Sequence, residues 1–442
     1  MTATVNIVIK SLYACAHQCG FCHVLHVPRN ISYMPTAQVK ETFDRIEEMF
    51  EGRRVELEMS GGEFTQRKDA VELIEYLRTK RIWWSSLVLD TMGVYLADSG
   101  LARALGALFD KANVSIHACD PAMHTAISGS ATHFEDLEQG LGNIFRFFPA
   151  VFTNTSINRL NYHRLADIAA FILRTREASR QAPLYCLYYL PVHREYGAAN
   201  KENRFRIHGE DNTDWLPPAA DLPRVRSQFE RARFLLARRS APAVLRDFNL
   251  PACIQHAITG TFPENAFGLP NFMVDCYFTD FAHPISERHT LEDVYPSRFR
   301  RTKTGECGRC AAADVCPGMP EGWLARGYEA KHLDESEYQA ALPIQVLNQT
   351  LFGLFHDAVR TRRLLQGLQL DWAGVAASFF DALCGEVSSV GDARSRISRL
   401  PVAERASVLA LQLRRMANPD CPALAGLIEE ELGRFAGVAC CP

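Results

Sequence analysis

Val5-Asn-Ile-Val-Ile-Lys-Ser-Leu12, a β-branched run, leads directly into Cys15-Ala-His-Gln-Cys19-Gly-Phe-Cys22. A strand with a reactive group at its C-terminal end, followed by a helix, opens many α/β folds. The helix here begins at Thr36, a suitable N-cap, and carries Val39, Phe43, Ile46 and Phe50 at helical spacing. The alternation then repeats. Strands are expected over 54–59, 86–89, 113–116, 150–157 and 184–190, and helices over 70–77, 101–109 and 134–147. A further helix carries Leu165, Ile168 and Ile172, with Asn161 as its cap. Six such units imply a parallel sheet but fall short of the eight that close a full barrel. The expected fold is therefore α/β, a partial (β/α)6 TIM-type barrel.

The chain of 442 residues is too long for one ordinary core. Residues 202–218 are polar and irregular, and a helix is expected over 222–239. Residues 245–333 are rich in Pro, Gly and Cys, which suits a small domain folded around metal. Helical spacing returns after Glu335, as in Leu347, Leu351, Leu354 and Phe355. The expected division is 1–240 for the barrel, 241–333 for the Cys-rich domain and 334–442 for a C-terminal helical region.

A net charge of −3 does not favour nucleic-acid binding. No apolar run is long enough for a bilayer, and the first ten residues lack a signal-peptide pattern, so a cytoplasmic location is expected. Fourteen cysteines in that compartment read as metal ligands or redox groups rather than disulfides. Six fall into two tight groups. Cys119, Cys186, Cys276, Cys384, Cys421, Cys440 and Cys441 fit no ligand-like spacing, and a lone Cys is usually a small buried hydrophobe.

The first group is C-x3-C-x2-C. Three thiolates can hold three irons of a [4Fe–4S] cube and leave the fourth iron open. Zinc is the alternative, with His17, His23 or His26 as the fourth ligand. The second group, Cys307-Gly-Arg-Cys310 through Cys316-Pro-Gly318, is C-x2-C-x5-C-x-G.

The first group, with Phe21 as the aromatic before its last Cys, resembles the radical S-adenosylmethionine (SAM) superfamily. The resemblance covers about the first 195 residues. Ser60-Gly61-Gly62-Glu63 matches the family's Gly-Gly-Glu element, with Phe64 where a Pro is usual. It implies that Cys15, Cys19 and Cys22 hold a SAM-binding [4Fe–4S] cluster, that Gly61 and Gly62 let the backbone approach the SAM amino group, and that Glu63 is its polar partner. Leu89-Asp-Thr-Met-Gly93 resembles the family's third-strand turn. Val114-Ser115-Ile116-His117 resembles its fourth-strand segment, with His117 replacing Asp. Ser115, Asn154, Ser156 and Asn158 are then candidates for the SAM cleft, each with the alternative of a polar residue closing a strand.

The second group resembles the auxiliary-cluster segment of SPASM and twitch domains. A full SPASM domain has another Cys at the position of Pro320, so one auxiliary [4Fe–4S] cluster is implied. Cys253 is its fourth ligand by resemblance, with Cys276 as competitor and a four-thiolate zinc site as the alternative.

The function implied is reductive cleavage of SAM to a 5′-deoxyadenosyl radical that abstracts hydrogen from a substrate, a peptide or a natural-product intermediate. An external one-electron reductant of the flavodoxin or ferredoxin type is implied as partner. Peptide-modifying relatives often carry a leader-binding domain before the cysteine group. Only fourteen residues precede Cys15, so that role is expected of a separate protein or the helical tail. Alternatives are a small-molecule dehydrogenase or rearrangement enzyme, SAM-dependent group transfer, and a zinc-binding structural protein. His117, Asp120, Tyr185, Tyr188 and Tyr189 are candidate pocket residues near strand ends. Strand alternation forbids Tyr188 and Tyr189 from both facing inward.

Overall fold

In the computed structural model, the residues described are 5–22, 33–130, 133–179, 184–190, 212–237, 239, 241, 243–245, 250–259, 275–280, 301–313, 316 and 318–334. The expected C-terminal helical region lies outside them.

The expected alternation is present. Strands β1 (Val5–Leu12), β2 (Arg54–Gly61), β3 (Trp83–Thr91), β4 (Lys111–Ser115), β5 (Val151–Ser156) and β6 (Leu184–Tyr189) lie side by side in chain order, all parallel. Helices α1 (Thr36–Met49), α2 (Ala70–Arg78), α3 (Ser99–Leu108), α4 (Pro121–Ser128), α5 (Phe134–Phe147) and α6 (Leu165–Glu177) connect them.

The strand count needs correction. β7 (Ala243–Leu245) pairs with β6, and β8 (Asp275–Asp280) returns to pair with β1 at the opposite edge, both parallel. The sheet has eight strands in the order β7-β6-β5-β4-β3-β2-β1-β8. Both edge strands were hidden in a Pro- and Gly-rich stretch, and three residues of β7 are too few to show a period. α4, at eight residues, also escaped the pattern; α7 (Leu222–Ala237), α8 (Ala252–Thr259) and α9 (Glu321–Ala325) follow.

Two caps also differ. Thr36 is the first helical residue rather than the cap, because Pro35 holds that place in an extended conformation. The Thr36 hydroxyl instead bonds Asp69. Asn161 stabilises the turn before α6, its Oδ1 accepting from Asn158 N at 2.8 Å, and Arg164 stands at the cap.

One face of the sheet is apolar and covered by helices. Val5, Ile7, Val55, Leu57, Met59, Leu87, Leu89, Ala112 and Val114 are all buried there. The other face is polar, with Glu56 and Glu58 on β2, Asp90 on β3, Lys111 and Asn113 on β4, and Asn154 on β5. Contacts across this face skip strands. Lys111 on β4 meets Glu56 on β2 at 2.9 Å, and Tyr189 on β6 senses the charge of Asp90 on β3. Three strand spacings would separate β3 and β6 by about 14 Å in a flat sheet. A concave sheet brings these side chains together.

Candidate active site at the first cysteine group

The loop that carries Cys15, Cys19 and Cys22 leaves β1 and passes over the C-terminal ends of the strands. It is pinned on both sides. Gly62 N donates to Leu12 O at 2.6 Å, and Glu63 N to Ala14 O at 3.0 Å. Gln18 N donates to Ser128 O at the end of α4 at 2.7 Å. Cys22 N closes a tight turn on Cys19 O at 2.8 Å.

Glycine is required where this loop meets β2. A Cβ at Gly62 would sit 2.2 Å from Ala14 O and 2.4 Å from Tyr13 O. At Gly61, whose φ is +126°, it would sit 2.2 Å from Leu12 O. Both glycines therefore hold the cysteine loop against the sheet by backbone contact.

Glu63 is buried and heavily bonded. Its carboxylate accepts from Thr65 N at 3.1 Å, Thr91 Oγ1 at 2.8 Å and Met92 N at 2.7 Å, and from the Thr65 hydroxyl. Burial pushes its pKa up against the opposing pull of these bonds. Thr91 also accepts from Gly93 N at 2.9 Å, so the turn after β3 is tied to the end of β2 through Glu63. Phe64, in place of the usual Pro, fills the core beside Phe109 at 6.3 Å between ring centroids.

Cys22 stands close enough to raise both Cys15 and Cys19. Burial pushes Cys15 up to about 12, with the Glu63 charge and Cys22 adding to it. Burial pushes Cys19 higher still, with Cys22 and Cys15 contributing. Thiolates in so dry a place need a cation to replace the proton, and three soft sulfurs suit iron. Cys15 Sγ also accepts from His17 N at 3.4 Å and lies 3.7 Å from Met92 Sδ. Among the described residues, no three His, Cys, Asp or Glu side chains already converge on the position of a single metal ion.

The remaining candidates divide. Phe21 meets His117 edge-on at 5.0 Å, and His117 Nδ1 accepts from Ser156 N at 3.1 Å. Burial, aided by His124, lowers His117 to about 3, so it is neutral. Ser115 and Asn154 lie on the polar face, Asn154 donating to Asn113 Oδ1 at 2.7 Å. Asn158 is buried and bonds its own turn, donating to Ser156 O at 3.0 Å. Tyr189 lies near Cys19, Cys22 and Asp90, and burial raises its pKa first, those charges after. Tyr188 faces the other way and packs edge-on against Phe229 of α7 at 5.3 Å. Tyr185 is buried beside Phe152 at 5.5 Å. Asp120 caps α4, accepting from Met123 N at 2.9 Å, and pairs with Arg164.

Sequence reasoning missed a row of polar side chains under this loop. Asn113 Nδ2 donates to Asp90 Oδ1 at 2.7 Å, and Ser86 Oγ to Glu56 Oε2 at 2.6 Å. Burial first, then the charge of Asp90 and a hydrogen bond to it, push Glu58 well above the usual carboxylate range. The signal was present: acidic and hydroxyl residues at every second position of β2 against Val55, Leu57 and Met59 on the other face. Trp215, whose indole lies on Gly20, was missed because nothing local marks it.

The second cysteine group is also drawn together. Ala252 N donates to Cys316 Sγ at 3.3 Å, and Gly318 N to the same sulfur at 3.5 Å. Cys253, Cys310 and Cys316 pack around Ala252, Ala312 and Leu333. Burial pushes Cys253 up to about 11, with Cys316, Cys307 and Cys310 adding to it. Cys276 is placed on β8, its backbone beside Asn6 of β1.

Residues 9–172, which contain the end of β1, the cysteine loop, the Gly-Gly-Glu element and β2 to β5, match the family model of the radical SAM superfamily. This part of the chain is a radical SAM domain. The radical SAM domain is 29% identical over 167 residues to a probable GTP 3′,8-cyclase of Methanocaldococcus jannaschii, covering 36% of this chain and 51% of that protein. The chain thus spans about half the length of that curated relative. Among solved structures, SuiB of Streptococcus suis bound to S-adenosylmethionine is 14% identical, with a TM-score of 0.46 over 76% of this chain and 78% of that one. Native anSMEcpe with bound AdoMet is 12% identical, with a TM-score of 0.46 over 80% and 99%. The family implies SAM and a [4Fe–4S] cluster as cofactors. Among the described residues no helix is long and apolar enough to cross a membrane.

Proposed function

We propose that this protein is a radical SAM oxidoreductase or maturase, with Cys15, Cys19 and Cys22 as cluster ligands and the concave polar face of the sheet as the reaction chamber. The observation that carries this reading is a loop with three half-buried cysteines, pinned by backbone hydrogen bonds to the Gly-Gly-Glu turn at the C-terminal end of β2 and to the end of α4. Bound there, the cluster and SAM would supply a 5′-deoxyadenosyl radical that removes a hydrogen atom from the substrate. The chain's own task is to position and to exclude water. Gly61 and Gly62 seat the loop, Glu63 locks the turn beside it, and Phe21 closes it against neutral His117. Ser115, Asn154 and Ser156 offer polar contacts to SAM from β4 and β5.

Cys253, Cys307, Cys310 and Cys316 are proposed to hold one auxiliary [4Fe–4S] cluster in a SPASM- or twitch-like segment that in part follows edge strands β7 and β8. Four protein thiolates leave no iron open, which favours electron transfer over substrate binding. The resemblance of this segment supports a peptide or natural-product intermediate as substrate, with an external one-electron reductant as partner.

The test is anaerobic purification, iron and sulfide analysis, then reduction in the presence of SAM. About eight irons per chain and release of 5′-deoxyadenosine are expected. Cys15→Ala, Cys19→Ala and Cys22→Ala should each abolish that release. Zinc in place of iron would overturn the proposal, as would an iron-loaded protein that leaves SAM intact.

A further inference from the structure

One short stretch, Asp214-Trp-Leu-Pro217, touches the first cysteine loop and the segment that follows the second cysteine group. On one side the Trp215 indole lies directly on the peptide of Gly20, inside the first cysteine loop. A Cβ at Gly20 would sit 1.9 Å from Trp215 Cζ2 and 2.2 Å from Cε2. The Phe21 ring meets the same indole edge-on at 5.9 Å. The Arg159 guanidinium stands over the indole at 5.2 Å, and Arg159 N donates to Trp215 O at 2.9 Å.

On the other side the stretch is tied to the segment that follows Cys316. Tyr328 OH donates to Pro217 O at 2.7 Å, and Arg326 pairs with Asp214. Tyr328 is buried and packs on Trp323 of α9, also buried, at 5.0 Å. Leu216, between the two attachments, is buried as well.

We propose that Trp215 is a positioning residue for the first cluster, and that its own position is set by Tyr328 and Arg326 of the second cysteine segment. The inference rests on the reading of Cys15, Cys19 and Cys22 as cluster ligands. An apolar shell around a metal centre controls its solvent access and tunes its potential. The indole supplies that shell on the flank of the Cys19–Cys22 turn, and only glycine at position 20 lets it approach so closely. A change in the second segment is therefore felt at the first cluster without any shared ligand.

The experiment uses the full chain, reconstituted anaerobically. The readouts are the SAM-sensitive electron paramagnetic resonance (EPR) signal of the reduced protein and its rate of decay in an iron chelator. A parent protein with no such signal, or one whose signal survives Cys15→Ala, would refute the cluster assignment itself, a separate failure. Given the parent signal, Trp215→Ala is expected to change its line shape and to speed its decay about tenfold, the loss of roughly one good aromatic contact. Trp215→Phe should restore most of both. Tyr328→Phe, which removes one hydroxyl, should shift both readouts in the same direction by less. Parent-like line shape and decay in Trp215→Ala, or in Tyr328→Phe, would overturn the proposal. If Trp215→Ala loses its secondary structure by circular dichroism, Tyr328→Phe decides.

Discussion

At the residue scale, Glu58 has the most unusual setting on the polar face. Burial, the Asp90 charge and the hydrogen bond between them favour its protonated form, Glu56 adds repulsion, and only Lys111 opposes. An acid whose pKa is raised on folding binds more protons in the native state than in the unfolded one. Its contribution to stability is therefore present below the ordinary Glu range, about 4.3, and is lost as pH rises through the raised folded value. The thermal midpoint of the metal-free protein should fall as pH is raised from about 4.3, the ordinary Glu value, through the raised folded value, and Glu58→Gln should flatten that fall. Parallel curves for parent and variant would sink the idea. The cysteine spacing and the Gly-Gly-Glu element were legible because each is local. The Glu58–Asp90 pair was not, since it needs β2 and β3 to be neighbours in the right register.

At the scale of elements, helices are held to the sheet by backbone contacts that leave no room for a methyl group. α5 (Phe134–Phe147) crosses the turn after β3, and a Cβ at Gly140 would sit 2.0 Å from Gly93 O and 3.2 Å from Ala97 N. Alanine raises helix propensity by about 1 kcal/mol over glycine. Overpacking against rigid backbone costs about 1–3 kcal/mol. Neither contact atom is the end of a flexible side chain, so the clash wins. Gly140→Ala should lower stability by up to about 2 kcal/mol in denaturant unfolding. A stabilised variant would mean that α5 can lift away at little cost. Periodicity located α5 to the residue, but no pattern in one helix reveals which glycine faces another backbone. Caps were read less well for the same reason: Thr36 and Asn161 have the right chemistry, and their partners are set by Asp69 and by the Asn158 turn.

At the scale of the molecule, the assignment of the auxiliary ligand can be tested against its competitor. Cys253 stands among Cys307, Cys310 and Cys316, while the backbone of Cys276 lies on the edge strand beside β1. Cys253→Ala should lower iron from about eight to about four per chain, and Cys276→Ala should leave it near eight. The reverse result would move the fourth ligand to β8. The sequence by itself determined the α/β alternation, six of the eight strands and both cysteine groups, because side-chain period and ligand spacing are properties of neighbours along the chain. Only the tertiary structure decided that β8 returns to β1, that Glu58 meets Asp90 in a hydrogen bond, that Glu63 is spent on Thr65, Thr91 and Met92, and that Trp215 rests on Gly20. Each of these joins residues far apart in the chain, and their pairing follows from strand order, curvature and close packing, which no local pattern encodes.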